Sequence, residues 1–161
     1  MSSEVSAAVS TESSDREIVL SRTYDAPRAL VFEAWIDPVH VAEWWGPEGF
    51  TTTILEMDPR PGGTWRFIMH GPDGVDYPNR IDYLEIRRPE RLVYTHASDE
   101  EPPQVQFQAT ITFAARGGRT ELSLRMVFKT AAQRDLVVEQ YGAIEGAHQH
   151  LQRLAEYLAG R

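Results

Sequence analysis

Four polar-tipped side chains stand at positions expected to face an apolar interior. Tyr94 and His96 are two apart in "RLVYTHA", and alternation along a strand puts both on one face. Tyr141 and His148 are seven apart in the closing segment, and helical spacing puts them on one stripe. Phenol and imidazole groups donate or accept hydrogen bonds, and an imidazole can serve as a general base near neutral pH. A dry core would have to satisfy all four groups. A cavity with a few convergent polar groups is the arrangement of a small-molecule site. Glu145 precedes His148 by three residues, within reach on a helix.

Other chemistries find less support. His148 and His150 stand two apart in "HQH", which on a helix turns them about 200° from each other, so they cannot share one metal ion. No His-Glu-x-x-His run occurs. The chain has no cysteine, which excludes disulfides, thiolate nucleophiles and cysteine metal sites. No metal and no cofactor is expected. "HGPDGVDYPNR" gathers His70, Asp73, Asp76, Tyr77 and Asn79, and reads either as a small polar site or, as the favoured alternative, as a hairpin tip in which Asp and Asn serve turn geometry. Arg66 and Arg80 flank it and are expected to pair with carboxylates across strands.

These residues need a scaffold, and 161 residues suggest one domain with a real core. A formal net charge of -8 repels phosphate backbones and anionic membrane surfaces. No apolar run approaches the roughly 18 residues of a membrane span, so no membrane insertion and no nucleic acid partner is expected. The N-terminus lacks the basic start and apolar block of a secretory signal, and a cytoplasmic location is the simplest expectation. Residues 1–16, rich in Ser, Ala, Glu and Thr, read as a disordered tail ahead of one domain over 17–161.

The ordered part begins with the strand-like "EIVLSRTY". In "DAPRALVFEAWI", Asp25 is the expected N-cap, with Pro27 in the first turn. Pro38 ends that helix, and "VHVAEWW" forms a second short one, stopped by "GPEG". About six strands follow in meander order. Val105, Phe107, Ala109, Ile111 and Phe113 share one face, opposite Leu122, Leu124, Met126 and Phe128, which describes an antiparallel sheet with one buried side. From about Ala131 to Ala159 one long helix carries Val137, Tyr141, Ile144, His148, Leu151, Ala155 and Leu158 as its stripe. That stripe must bury on the sheet's apolar face. Gly142 and Gly146 lie four apart within it, each costing about 1 kcal/mol against Ala in a helix interior.

"DAPRALVFEAWIDPVHVAEWWGP", "RPGGTWRF", "PERLVYTH" and "GAIEGAHQHLQRLAEYLA" resemble the START-like (SRPBCC) superfamily. More closely they resemble its branch named after the activator of the heat-shock-protein-90 ATPase. The resemblance spans Glu17 to Ala159, and "HGPDGVDYPNR" is similar to a bacterial subgroup mostly without assigned activity. It implies an α+β helix-grip fold: a curved antiparallel sheet wrapped around a long C-terminal helix, with two short helices after the first strand. It also implies a deep, mainly apolar cavity, used in relatives for lipids, sterols, aromatic polyketides or plant hormones. Co-chaperone activity belongs to eukaryotic members with an additional N-terminal domain.

The residues expected to line the cavity are Trp35, Trp45, Trp65, Phe67, Met69, Tyr94, His96, Phe107, Met126, Tyr141, Ile144 and His148. For the adjacent indoles Trp44 and Trp45 two arrangements are open: one closes the core while the other borders the mouth, where an aromatic with a polar N–H suits a half-wet entrance, or both cap the core from two sides. Binding of a small hydrophobic or aromatic molecule is the leading functional expectation. A cyclase, hydrolase or dehydratase using His96, His148 or Tyr94 is the second. A protein-binding role toward a chaperone or regulator is the third. A homodimer is compatible with each.

Overall fold

Proline and aspartate set the first two helices. The computed structural model describes residues 9–10, 15–99 and 104–160, with the side chains of Val9, Ser10, Gln104, Gln140 and Tyr141 outside that description. Helix α1 (Arg28–Ile36) starts from Pro27 as its N-cap, two residues after the expected Asp25, whose carboxylate instead lies 3.6 Å from Arg119. Pro27 lacks a donor, so its place at the helix start leaves no N–H unpaired. Helix α2 (Pro38–Trp44) has Pro38 at its first position, and the Asp37 side chain accepts the N–H of Val39 at 2.9 Å. The Nε1 of Trp44 donates to the Ala34 carbonyl at 2.9 Å and ties the two helices together.

The strands are β1 (Val9–Ser10), β2 (Glu17–Tyr24), β3 (Thr51–Met57), β4 (Thr64–His70), β5 (Asp76–Arg87), β6 (Arg91–Ser98), β7 (Gln104–Arg116) and β8 (Arg119–Phe128). They form one sheet in the order β1-β2-β8-β7-β6-β5-β4-β3, with antiparallel pairs throughout. The meander β3 to β8 is therefore closed by β2, which lies beside the last strand. Gly117 and Gly118, both at positive φ, make the two-residue turn between β7 and β8, a backbone that side-chain-bearing residues resist. Bulges interrupt the ladders at Ile54/Glu56, Tyr83/Glu85 and His96/Ala97, and such insertions bend a strand and increase its twist. The tail expected over residues 1–16 lies outside the described residues, apart from Asp15, Arg16 and the pair Val9–Ser10, which bridges to Leu20 and Val19.

The C-terminal segment is two helices rather than one unbroken rod. Helix α3 (Ala131–Tyr141) ends at Gly142, whose φ of 60° is left-handed, and helix α4 (Ala143–Ala159) begins there. Glycine takes that conformation without the strain a Cβ brings. Helix α3 packs on β2 and β8, and α4 packs on β2 and α2. Leu151 and Leu154 of α4 are buried in one apolar cluster with Ile18, Leu20, Leu122 and Leu124 of the sheet's inner face. The hydroxyl of Tyr24 on β2 donates to the Leu151 carbonyl at 2.9 Å. Val105 was expected on the inner face but is exposed, at the end of β7. No helix among the described residues is long and apolar enough to cross a membrane.

Candidate functional site

Strand alternation and a helix end together build an aromatic box. On β4, Trp65 and Phe67 both face inward and stack with ring centroids 4.2 Å apart. Trp35 comes from α1. Residues adjacent on a helix point about 100° apart, so Trp44 and Trp45 could not both turn inward on a continuing helix. The helix stops instead: Trp45 is extended, with φ -64° and ψ 135°. Both indoles turn inward as a result, Trp44 being 1% exposed and Trp45 4%. Of the two arrangements open for the pair, the burial is that of two indoles capping the core, with neither at an entrance. Trp45 stands 4.7 Å from Trp65 and 5.4 Å from Trp35, edge-to-face in both cases, the geometry in which aromatic pairs add about 0.5–1.5 kcal/mol each.

Inside this box sits His150 of α4, a residue the sequence reading left outside the site. Its ring lies 4.5 Å from Trp45, 4.8 Å from Trp44 and 5.6 Å from Trp35. The N–H of Gly46 donates to its Nδ1 at 3.0 Å. Nδ1 is therefore the lone-pair nitrogen, and the ring proton resides on Nε2. Burial above all, then the positive charge of Arg153, pushes the imidazole down to about 3, so it is neutral at physiological pH. One turn on, Arg153 holds the same loop. Its Nη1 lies 2.9–3.2 Å from the carbonyl oxygens of Trp45, Gly46, Pro47 and Phe50, which share its two N–H donors. These carbonyls close the C-terminal end of α2, where a cation is favoured. Gly46 has φ 103°, and a Cβ there would meet Met69 Cε at 3.0 Å.

A second neutral imidazole, His96 on β6, occupies the sheet side. Its Nε2 lies 2.9 Å from Asn79 Oδ1, while Asn79 Nδ2 donates to the Tyr77 carbonyl at 2.8 Å. The latter bond fixes the amide, so Oδ1 accepts and His96 carries its proton on Nε2. Burial pushes His96 down to about 4. Its ring packs against Phe107 at 5.0 Å and Phe67 at 6.0 Å. Tyr94 is buried beside Tyr83, and desolvation raises its phenol well above the usual range. Met126 is buried in the same cluster, with Met69, Phe107 and Ile144 packed at its margin. Two indole N–H groups, Trp35 Nε1 and Trp65 Nε1, are buried without a hydrogen-bond partner among the described residues.

His148 does not join this set. It lies in an open groove of about 260 Å³ with Arg22, Glu48, Glu145, Gln149, Gln152, Arg153 and Glu156. The physical reason is rotational phase. The break at Gly142 frees α4 from the phase of α3, and its inner face centres on Ala147, Leu151, Leu154 and Leu158. That rotation brings His150 inward and moves His148 to the flank. Glu145 pairs with Gln149 at 3.5 Å rather than with His148. The side chain of Tyr141 lies outside the described residues.

The hairpin loop makes a relay that its sequence did not disclose. His70 Nδ1 is 2.7 Å from Asp76 Oδ1, and His70 Nε2 is 2.7 Å from Thr53 Oγ1 on β3. Thr53 and Asp76 are exposed and His70 is half-buried, the Asp76 side chain being 60% exposed. Solvent screens such pairs, and the relay acts as a cross-strand clamp. Arg66 bonds Asp99 at 2.9 Å and Glu56 at 3.3 Å, and Arg80 bonds Asp82 at 3.1 Å. Arg66 reaches across to Glu56 on β3 as expected, whereas Arg80 pairs with Asp82 on its own strand rather than across strands.

The curved sheet, the two short helices and the terminal helix define a helix-grip protein of the START-like class. The pattern of the activator of Hsp90 ATPase homolog 1-like proteins matches residues 25–159, and the chain belongs to that family. Among solved structures, a protein from Arthrobacter aurescens is similar over 97% of this chain and 93% of its own, with TM-score 0.88 and 21% identity. Protein Ms6760 from Mycobacterium smegmatis is similar over 94% and 95%, with TM-score 0.82 and 23% identity. Protein NE0264 from Nitrosomonas europaea is similar over 91% and 96%, with TM-score 0.81 and 26% identity. No curated protein matches the chain.

Proposed function

We propose that the chain binds a small hydrophobic or aromatic molecule between the inner face of the sheet and the C-terminal helices. Trp35, Trp45, Trp65, Phe67 and His96 would supply most of the contacts. One observation carries the reading: two buried indole N–H groups, Trp35 Nε1 and Trp65 Nε1, lack a partner among the described residues. A buried donor left unpaired costs about 1–3 kcal/mol. A ligand oxygen seated against either one would recover that cost. The partial exposure of His96, His150 and Phe107 within an otherwise buried cluster supports a recess beside them.

Native mass spectrometry of the freshly purified protein, followed by organic extraction, tests the reading. A stoichiometric extra mass supports it and gives the ligand's chemistry. The tryptophans cluster at the site, so an added ligand also reports through their emission. A bare chain mass, together with unchanged tryptophan emission across a panel of aromatic and lipid probes, overturns it.

A further inference from the structure

His70 joins two partners of unlike chemistry. Its Nδ1 lies 2.7 Å from Asp76 Oδ1, and its Nε2 lies 2.7 Å from Thr53 Oγ1. A carboxylate only accepts, so Nδ1 carries the ring proton and the lone pair on Nε2 receives the Thr53 hydroxyl. His96 and His150 hold the proton on Nε2 instead. The order carboxylate, Nδ1–H, Nε2, hydroxyl is that of a nucleophile held against its base, with a third group orienting the base. Strand alternation places all three on one face. Trp65 and Phe67 of β4 are buried on the inner face, so Ile68 and His70 lie on the outer one. Asp76 pairs with His70, and Thr53 pairs with Ile68. Thr53 and Asp76 are exposed, so a substrate reaches the hydroxyl from solvent. Ile68 stands opposite Thr53, and Pro78 stands opposite Ile68, which makes a short apolar strip beside the oxygen. β3 is also the last strand of the sheet, and an edge strand leaves alternate N–H groups without a ladder partner. Such a group belongs to Thr53 or to each residue beside it, where a donor would meet the oxyanion of an attacked ester.

We infer that Thr53 is the nucleophile of a separate reactive site, which transfers the acyl group of short, uncharged carboxylic esters to water. The site shares no residue with the ligand-binding reading above and stands or falls apart from it. Thr53 Oγ1 attacks the ester carbonyl carbon while its proton passes to His70 Nε2. The bond from that carbon to the alcohol oxygen then breaks, and Nε2 gives the proton to the departing alcohol. Water attacks the acyl-threonine and yields a proton to Nε2. The carboxylic acid leaves as Thr53 Oγ1 takes that proton back. Asp76 touches no reacting atom; it positions the ring and settles its tautomer. An open strip of two apolar residues suits a small acyl group. A net charge of -8, with Asp73 and Asp76 at the hairpin, disfavours an anionic ester.

The experiment exposes the full chain to p-nitrophenyl acetate, with tandem mass spectrometry to locate the acetyl group and nitrophenol release to count turnover. The acetyl group is expected on Thr53. Thr53→Ser should keep turnover, while Thr53→Val and His70→Asn should lower it about a hundredfold, the low end of what a positioned base contributes. Thr53 is exposed on an edge strand and valine keeps its shape, so that variant retains the fold. Acetyl groups found only on lysine, on histidine or on the N-terminus overturn the inference. So does turnover in Thr53→Val equal to that of the unaltered chain. Long-range proton–nitrogen NMR gives a second readout. His70 should show Nδ1–H and a bare Nε2, and Asp76→Asn should both shift it toward Nε2–H and slow the acetylation of Thr53. An Nε2–H on His70 in the unaltered chain defeats the assignment.

Discussion

The Gly46 N–H and the Nδ1 of His150 meet at 3.0 Å, and this bond joins the loop after α2 to the last helix. Arg153 completes the join through four carbonyls of the same loop. Replacing Arg153 by Met keeps much of the stem but removes the charged donor, leaving the Trp45 carbonyl to Thr52 and the Pro47 carbonyl to the Phe50 N–H. Hydrogen bonds to a charged donor are worth about 1.5–3 kcal/mol, so Arg153→Met should cost about 2 kcal/mol in urea unfolding. Amide exchange at Phe50 should accelerate with it. Unchanged stability would mean that the guanidinium only decorates the loop.

Acid should destabilise the fold through its two buried imidazoles. Both are depressed in the folded state, His96 to about 4 and His150 to about 3, from an ordinary 6.5. Between those values the unfolded chain binds more protons, so stability is complete above pH 6.5 and falls as pH falls toward the folded values. From pH 7 to pH 5 each histidine should remove about 2 kcal/mol. His96→Phe should remove about half of that pH dependence, as read from unfolding free energies at the two pH values. A flat profile would show that the rings are solvated.

The indoles should separate by their N–H groups. Trp44→Phe breaks the bond to the Ala34 carbonyl, whereas Trp65→Phe removes a donor that has no partner among the described residues. Both lose ring volume. Trp44→Phe should therefore be the more destabilising, by about 1 kcal/mol. Reversal of that order by thermal or urea unfolding would show that Trp65 Nε1 is satisfied in solution.

The two helical glycines should answer an added methyl with opposite signs. A Cβ on Gly146 meets only Pro47 Cγ at 3.8 Å, ordinary contact. Gly146→Ala should stabilise the protein by about 0.5–1 kcal/mol, the propensity gain of alanine in a helix. Gly142 also has open space around it, but its φ is 60°. Gly142→Ala should cost about 1–2 kcal/mol in backbone strain. The pair of melting temperatures decides the matter, since it compares one chemical change at two backbone conformations.

Alternation made the sheet readable in advance. Trp65 with Phe67, and Leu122 with Leu124, announce their inner face by period two, and the observed burial follows it. Pro27 likewise marked the start of the first helix and Pro38 its end, although the first cap moved from Asp25 to Pro27 and Pro38 itself opens the second helix. The site was less legible, because it depends on rotation and on long-range bonds. Spacing continued from α3 put His148 on the inner stripe and left His150 off it, and the left-handed turn at Gly142 breaks the phase on which that reading depended. Arg153 reads as a solvent-facing helix charge, and its four acceptors lie more than a hundred residues away in sequence. Neither the extended backbone of Trp45 nor the commitment of Asn79 to His96 leaves a local pattern.

The break at Gly142 separates two jobs that a continuous rod would have to share. In one rod, inserting or deleting a residue anywhere would rotate everything downstream by about 100°. Here the junction absorbs such a change. Helix α3 can lengthen, shorten or alter its composition while α4 keeps His150, Leu151 and Arg153 in register with the aromatic box. The part of the closing segment free to diverge is thus α3, which packs over β2 and β8. The part under constraint is α4, and variation between relatives should concentrate on the first and spare the phase of the second.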